Sequence, residues 1–448
     1  NCSCFIRYPV FFLVKTIWQS SRKSLNDNIF FKDPMSSNLA IYSEIIEFLH
    51  TKKLVTFQGV HASSYAYILA RLIEQDCPSI VIISETSDFG ENLYDDLCFF
   101  LGLTRETAFE QGLWLLVGDE SSLYSGNAKN PFTPMQKNSI LLKLSQDEPF
   151  KLLIILPVHF CSKTLNKKRL ASISEYLVVK QTVDRENFFL RLERLGYNRV
   201  QNSLEEPGTF CVRGGIVDIF SPYYASPHRL DFFGDEIDEI RKFDLNTGRS
   251  QKENALREDL CIPPASEIIF GLPDQNIEHQ LYQRASEQNI PTKKIQHALE
   301  KIEMGIRYFN IEALFPVFES QPDTFFDFLP DNTIFSYQNN SNKDEIFKKF
   351  YDSLQKQYQK TLSSKQLYFE PKAYFVEEKE IFQKLANVSL IEHQEYYQSK
   401  ITQNFNFTFH DNHSVRRQLV ADELKNHENQ FLPLADWLKE QFSKKQTT

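Results

Sequence analysis

Positive charge is the first thing this sequence lacks: 50 Lys and Arg stand against 59 Asp and Glu, a formal net charge of −9 over 448 residues. Nonspecific affinity for DNA comes from neutralising phosphates with basic side chains, so the balance argues against general polyphosphate binding. Any nucleic-acid contact is left to a local patch or to another subunit. Cysteine is sparse and scattered: Cys2, Cys4, Cys77, Cys98, Cys161, Cys211 and Cys261 contain no C-x-x-C pair and have no histidine at ligand spacing. That excludes a zinc framework and predicts no metal, with reduced, mostly buried thiols in a cytoplasmic protein. Long apolar runs are missing near the start, where Arg7, Pro9 and Lys15 leave only residues 10–14 uninterrupted. Such a run is too short to cross a bilayer, and no small-residue cleavage site closes it, so no membrane partner is expected. No Met opens the chain, and residues 1–36 are expected to be an extension, either an upstream translated stretch or the mark of an incomplete gene. Gly (14), Met (3) and Trp (3) are also few.

What is present reads as globular. Hydrophobic residues make up 42% and charged residues 24%, and 39 Phe with 19 Tyr supply much of the core. At about 150 residues per domain the length suggests about three domains. Residues 37–157 have an α/β pattern: an amphipathic helix over 43–54, a strand over 54–58, a loop over 59–64 and a helix over 65–74. A strand over 79–84, a helix over 89–103 and a fully apolar strand over 152–156 follow, which predicts right-handed crossovers in a parallel sheet.

The loop after the first strand lies where phosphate-binding loops occur. A Walker A loop needs G-x-x-x-x-G-K-[ST], with amides around phosphate, a Lys on the terminal phosphates and a hydroxyl on Mg²⁺. Gly59 remains here, but Ser64, Tyr65 and Ala66 replace the second Gly, the Lys and the Ser/Thr. Without that ammonium and that metal ligand, tight triphosphate binding and hydrolysis are not expected. His61 reads as a polar loop residue rather than a substitute. Residues 113–117 followed by Gly118-Asp119-Glu120 imitate a Walker B strand but have no Lys-bearing loop to serve, so they read as a solvated strand end.

After Pro157 the character changes. A basic stretch (162–169) leads to an amphipathic helix over 185–195 with Phe188, Phe189, Leu192 and Leu195 on one side. Residues 210–220 alternate like one strand carrying Gly214-Gly215 as a bulge or close approach. Residues 229–233 and 237–243 read as a hairpin around Gly234-Asp235-Glu236, with a further turn at Asn246-Thr247-Gly248. Arg199, Arg213 and Arg229 all lie in or beside these strands. The expectation is a compact β-rich module presenting several guanidinium groups on one face.

The motifs in this stretch are G-Y-N-R (196–199), G-T-F-C-V-R-G-G-I-V-D-I-F (208–220) and R-L-D-F-F-G-D-E-I-D-E-I-R-K-F-D-L-N-T-G-R (229–249). They closely resemble the UvrA-interaction domain shared by the excision-repair protein UvrB and the transcription-repair coupling factors of the Mfd family. The match runs in fixed order for about fifty residues, which is far more specific than a short motif. The resemblance implies that Arg199, Arg213, Arg229 and Asp231 contact UvrA; Cys211 and Pro207 depart from the family pattern, where arginines occur.

The resemblance also implies an architecture: a degenerate P-loop helicase-like parallel sheet, an inserted small α+β UvrA-interaction domain and a partial C-terminal α/β domain. Its divisions would be a first domain over 37–157 and 264–335, the UvrA-interaction domain over 158–263, and a linker with a truncated third domain over 336–448. The third segment carries a helical stripe at Ile346, Phe347, Phe350, Leu354 and Tyr358 and an amphipathic helix over 434–442. The full-length family also engages RNA polymerase and double-stranded DNA through an ATP-dependent motor whose motifs are not found here. The chain therefore reads as a UvrA-binding adaptor with no cofactor and no catalysis of its own. A UvrB-like helicase subunit and a non-binding structural remnant are the alternatives. Replacing both Arg213 and Arg229 by Glu is expected to abolish UvrA binding without changing the melting temperature.

Overall fold

The computed structural model describes residues 39–406 apart from 52–53, 61, 121–122, 126–129, 246, 249–255, 272–275, 288–289, 309, 338–342, 363–366 and 395–403. The readings on residues 1–36, His61, Asn246 and the helix over 434–442 lie outside the described residues.

The chain starts as alternating helices and strands: α1 (Leu39–His50), β1 (Leu54–Gln58), α2 (Ala62–Glu74), β2 (Ile80–Ile83), α3 (Ser87–Leu101), β3 (Leu113–Leu116), α4 (Phe132–Ser145) and β4 (Leu152–Ile155). β2, β3 and β4 are apolar and buried at every position. A strand covered by helices on both faces takes such a continuous apolar run rather than an alternating one. Thr86 caps α3 by accepting from the Phe89 amide at 3.3 Å, and Gly102 ends it at φ 68°. Those two signals place the helix two residues earlier than the expected 89–103.

Between β4 and the return to this sheet come β5 (Lys163–Thr164), β6 (Glu175–Val178), α5 (Arg185–Arg194), β7 (Asn198–Val200), β8 (Thr209–Arg213), β9 (Ile216–Phe220), β10 (His228–Phe233), β11 (Glu236–Lys242), β12 (Leu256–Arg257), β13 (Asp259–Ile262) and β14 (Asp323–Thr324). β15 (Ile334–Tyr337), α6 (Lys343–Leu362), β16 (Ser389–Gln394) and β17 (Asn404–Asn406) then complete the described chain. The main sheet has seven strands in the order β17-β1-β16-β15-β2-β4-β3, and all of its pairings are parallel. The second sheet has six strands in the order β12-β11-β10-β9-β8-β7. It packs against α5 around its own cluster, which includes Phe188, Phe189, Leu192, Phe210, Val217, Ile219, Leu230 and Ile240.

Two expectations are corrected here. Residues 210–220 are not one strand: β8 and β9 are antiparallel neighbours, and Gly214-Gly215 is the hairpin turn between them, with Gly214 at φ 60°. A two-residue turn of that kind needs left-handed backbone that only glycine adopts without cost. The division at 335/336 also falls inside β15. β16 sits between β1 and β15 in the main sheet, and α6 buries Ile346, Phe347, Leu354 and Tyr358 in the main core. The described part of residues 336–448 thus completes the first layer instead of starting a third.

α4 was not anticipated, because it is buried all around and so shows no amphipathic stripe. It lies between the two modules. Ile140, Leu141, Leu142 and Leu144 belong to the main core, whereas Met135 belongs to the core of the second sheet. Polar bonds from α4 fasten the joint. Asn138 Nδ2 donates to the Pro264 and Ser266 carbonyls at 3.0 and 3.1 Å, Ser139 Oγ donates to the Pro222 carbonyl at 2.9 Å, and Lys137 Nζ meets Glu267 Oε1 at 2.8 Å. From the other side, Arg307 donates to Ser266 Oγ at 2.7 Å and to the Arg194 carbonyl at the end of α5 at 3.1 Å.

Candidate partner-binding face

Strand register assigns the arginines to faces, since residues directly opposite one another across a ladder share a face. One row reads Arg213, Ile216, Asp231, Glu239 across β8, β9, β10 and β11. The next row on the same face reads Cys211, Asp218, Arg229, Arg241, Leu256. Arg199 is instead in register with Phe210, whose side chain enters the core beneath α5. Its exposed guanidinium lies 5.4 Å from the Phe189 ring at the sheet edge. The expected single arginine face therefore holds Arg213 and Arg229 but not Arg199: β7 runs parallel to β8 and turns that residue to the helix side.

On the open face, Asp218 is the organising group. Its side chain is 4% exposed and takes Arg229 in a fork, Nε to Oδ1 at 2.6 Å and Nη2 to Oδ2 at 3.0 Å. Arg213 reaches the same Oδ2 and also donates to the Asn202 carbonyl at 3.3 Å. The hydrogen bonds to Asp218 hold the Arg229 guanidinium above its usual range, and the group lies 4.9 Å from the Phe243 ring. Paired bonds of this geometry fix a guanidinium plane as well as a charge. Arg229 is consequently tucked in, with a side chain 17% exposed, while that of Arg213 is 47% exposed. Asp231 is bonded by Arg241, and Glu239 stands 3.5 Å from Arg241 Nε.

Beyond the inner row the same face runs into a small buried cluster of Leu204, Cys211, Phe220 and Phe243, so Cys211 is a packed residue where the family pattern has an arginine. Pro207 is half-buried in the largely exposed loop before β8. Two apolar side chains are left open nearby: Phe233 at the hairpin tip (83% exposed) and Leu256 on β12 (67%). Asp218, Glu239 and Arg241 were missed from sequence. The available signal was the acid inside I-V-D-I-F: a carboxylate flanked by buried strand residues needs a cationic partner.

The other candidate loop has a different character. Gly59 keeps a left-handed φ of 75°, but α2 already begins at Ala62, so the expected loop over 59–64 is shorter. Ser64 is half-buried and Ala66 is fully buried. Tyr65, in the lysine position of a Walker loop, is buried with its ring 4.1 Å from that of His393 and its hydroxyl 2.5 Å from Ser336 Oγ. Ser336 Oγ donates onward to the Ile391 carbonyl at 2.8 Å, and burial pushes the Tyr65 hydroxyl pKa up. β3, which imitates a Walker B strand, is at the opposite edge of the sheet, with β16, β15, β2 and β4 between it and β1. The acids after it are engaged locally: Asp119 accepts from the Asn130 amide and Glu120 from the Ser87 amide.

Residues 176–267 match the family model of the UvrB interaction domain. The chain is 26% identical over 358 residues to the transcription-repair-coupling factor of Myxococcus xanthus, covering 78% of this chain and 29% of that protein. It is 35% identical over 171 residues to that of Haemophilus influenzae, covering 38% of this chain and 14% of the relative. For Escherichia coli the figures are 30% over 162 residues, 35% of this chain and 13% of the relative. The chain spans less than a third of the length of these relatives. Residues 176–267 are therefore similar to the UvrB interaction domain, within a chain that is similar to transcription-repair-coupling factors over most of its length.

Proposed function

We propose that this chain acts in transcription-coupled excision repair as an adaptor that docks UvrA on the open face of its six-stranded sheet. The observation that carries the reading is the coincidence of the matched domain with a face whose guanidinium groups are fixed in place by a buried acid. A protein interface favours arginine, because its planar fork bonds carboxylates bidentately and its stem covers apolar area. Arg213 is the cationic contact of that face, Asp231 stands in the same row, Arg229 shapes the face from below, and Arg199 borders it from the helix side.

Replacing Arg213 by Glu is expected to abolish capture of UvrA with only a modest fall in melting temperature, because that side chain is half exposed and Arg229 still neutralises Asp218. A folded Arg213→Glu chain that still binds UvrA removes the assignment. Arg229→Glu is a poorer probe than the sequence suggested. It sets a carboxylate against the buried Asp218, and loss of fold would be read as loss of binding.

The adaptor reading includes no nucleotide chemistry in this chain. Support comes from Ser64, Tyr65 and Ala66 in place of the Gly, Lys and Ser/Thr of a phosphate loop, and from the burial of Tyr65 against His393. A tyrosine there supplies neither an ammonium for phosphate nor a ligand for Mg²⁺. DNA-stimulated ATP turnover by the purified chain would favour a helicase subunit instead.

A further inference from the structure

The open face is not a field of positive charge. Its three arginines (213, 229 and 241) are balanced by Asp218, Asp231 and Glu239, all six on the same face by register. The charges form two rows of opposite polarity. In the inner row Asp218 and Arg229 are withdrawn from solvent, and Arg241 is one-third exposed. The outer row offers a partner its two most exposed charges, Arg213 on β8 and Glu239 on β11, each 47% exposed; Ile216 on β9 and Asp231 on β10 lie between them, Asp231 22% exposed and bonded by Arg241. Neighbouring strands are about 4.8 Å apart, so the cation and the outermost acid are separated by roughly 14 Å across three strand spacings. Exposed Leu256 borders the inner row beside Arg241, and exposed Phe233 lies at the hairpin tip beyond Asp231, both toward the acidic end.

We propose that this face selects a partner surface of mixed charge, with a carboxylate over Arg213 and a basic side chain over Asp231 and Glu239. An apolar side chain of the partner covers Leu256 or Phe233. The inference rests on the docking reading above and adds the chemistry of the UvrA surface: a dipolar strip rather than a uniformly acidic patch. Complementary placement of both signs fixes register and rejects wrong partners, because like charges brought together are costly. Glu239 thereby becomes a specificity residue, although acids are usually read as weakening an arginine surface.

The test is affinity for purified UvrA of the full chain and its Arg213→Glu, Glu239→Lys and Glu239→Gln variants, each checked for retained fold by a cooperative melt. The expected result is that Arg213→Glu and Glu239→Lys each weaken binding at least tenfold, and Glu239→Gln by a few fold. A uniformly acidic partner patch gives the opposite sign, since Glu239→Lys then tightens binding. Tightened or unchanged affinity for both Glu239 variants overturns the inference while leaving docking intact. If Glu239→Lys fails to fold, Glu239→Gln alone decides by the same criterion. Failure of the unmodified chain to bind UvrA overturns the docking reading itself and this inference with it.

Discussion

At the scale of single residues, the acid that organises the face matters more than the arginines that advertise it. Asp218 neutralises Arg229 and reaches Arg213, and it does so from a position that is almost fully buried. Asp218→Asn keeps the shape but leaves Arg229, itself mostly buried, without a countercharge. Removing one partner of a buried pair is expensive because the other remains desolvated, so a loss of about 3 kcal/mol is expected. Denaturant unfolding of the variant checks this; a change below about 0.5 kcal/mol, the range of an ordinary surface substitution, would mean the pair is structurally idle. The arginines could be picked out from sequence because they sit in a rare ordered motif. Their pairing could not, because a cross-strand contact depends on register, and a one-residue slip exchanges the faces. Arg199 shows that limit directly.

At the scale of elements, legibility followed periodicity. The apolar runs of β2 and β4, the amphipathic α5 and the hairpin β10–β11 all stood out, each carrying one clean repeat or a glycine turn. The β8–β9 hairpin reads as a single strand in sequence because its turn is only two residues long, although the core-facing positions switch from even (Phe210, Val212) to odd (Val217, Ile219) across it. α4 left no pattern at all, being buried against two cores at once. Yet α4 governs how the second sheet is held on the first. Asn138 is fully buried, and its amide serves two carbonyls of the segment that returns from the second module. Asn138→Ala leaves both acceptors unpaired, and a buried polar group without a partner costs about 1 to 3 kcal/mol. The expected outcome is a loss of about 2 to 3 kcal/mol in unfolding free energy. Proteolysis of the native variant should also nick the chain near residues 264–267 faster than in the parent, and unchanged cleavage would show that α4 is not the fastener.

At the scale of the whole molecule, each module contains a histidine held neutral. Burial, reinforced by nearby Arg257 and Lys242, takes His228 from 6.5 down to about 3, and burial alone takes His393 down to about 4. Among the described residues, His228 has no hydrogen-bond partner on either ring nitrogen, and His393 has none on Nδ1. In both cases the folded pKa lies below the unfolded value, so between the two the unfolded chain binds more protons. The associated stability is complete above about pH 6.5 and is lost as pH falls toward 3 to 4. Each histidine should remove about 1 kcal/mol between pH 7 and pH 5.5. Unfolding free energies at the two pH values test this, with His228→Gln and His393→Gln each flattening the slope; an equal slope in the variants would assign the loss to other groups.

The sequence by itself determined the class of each segment: a parallel α/β layer from its fully apolar strands, and a small antiparallel module from its glycine turns. It also determined the identity of that module, because an ordered motif of some fifty residues is information of a purely linear kind. Only the tertiary structure decided that β16, more than 300 residues after β1, lies beside it, and that the described strands after residue 335 join the first sheet instead of starting another. Parallel neighbours are joined by long crossovers, so nothing local records which strand will fill a gap. The charge balance of the open face was decided in the same way. Arg213 and Asp231 are eighteen positions apart in the chain yet stand in one row across three strands, and it is the sheet that turns a list of acids and bases into a pattern a partner meets.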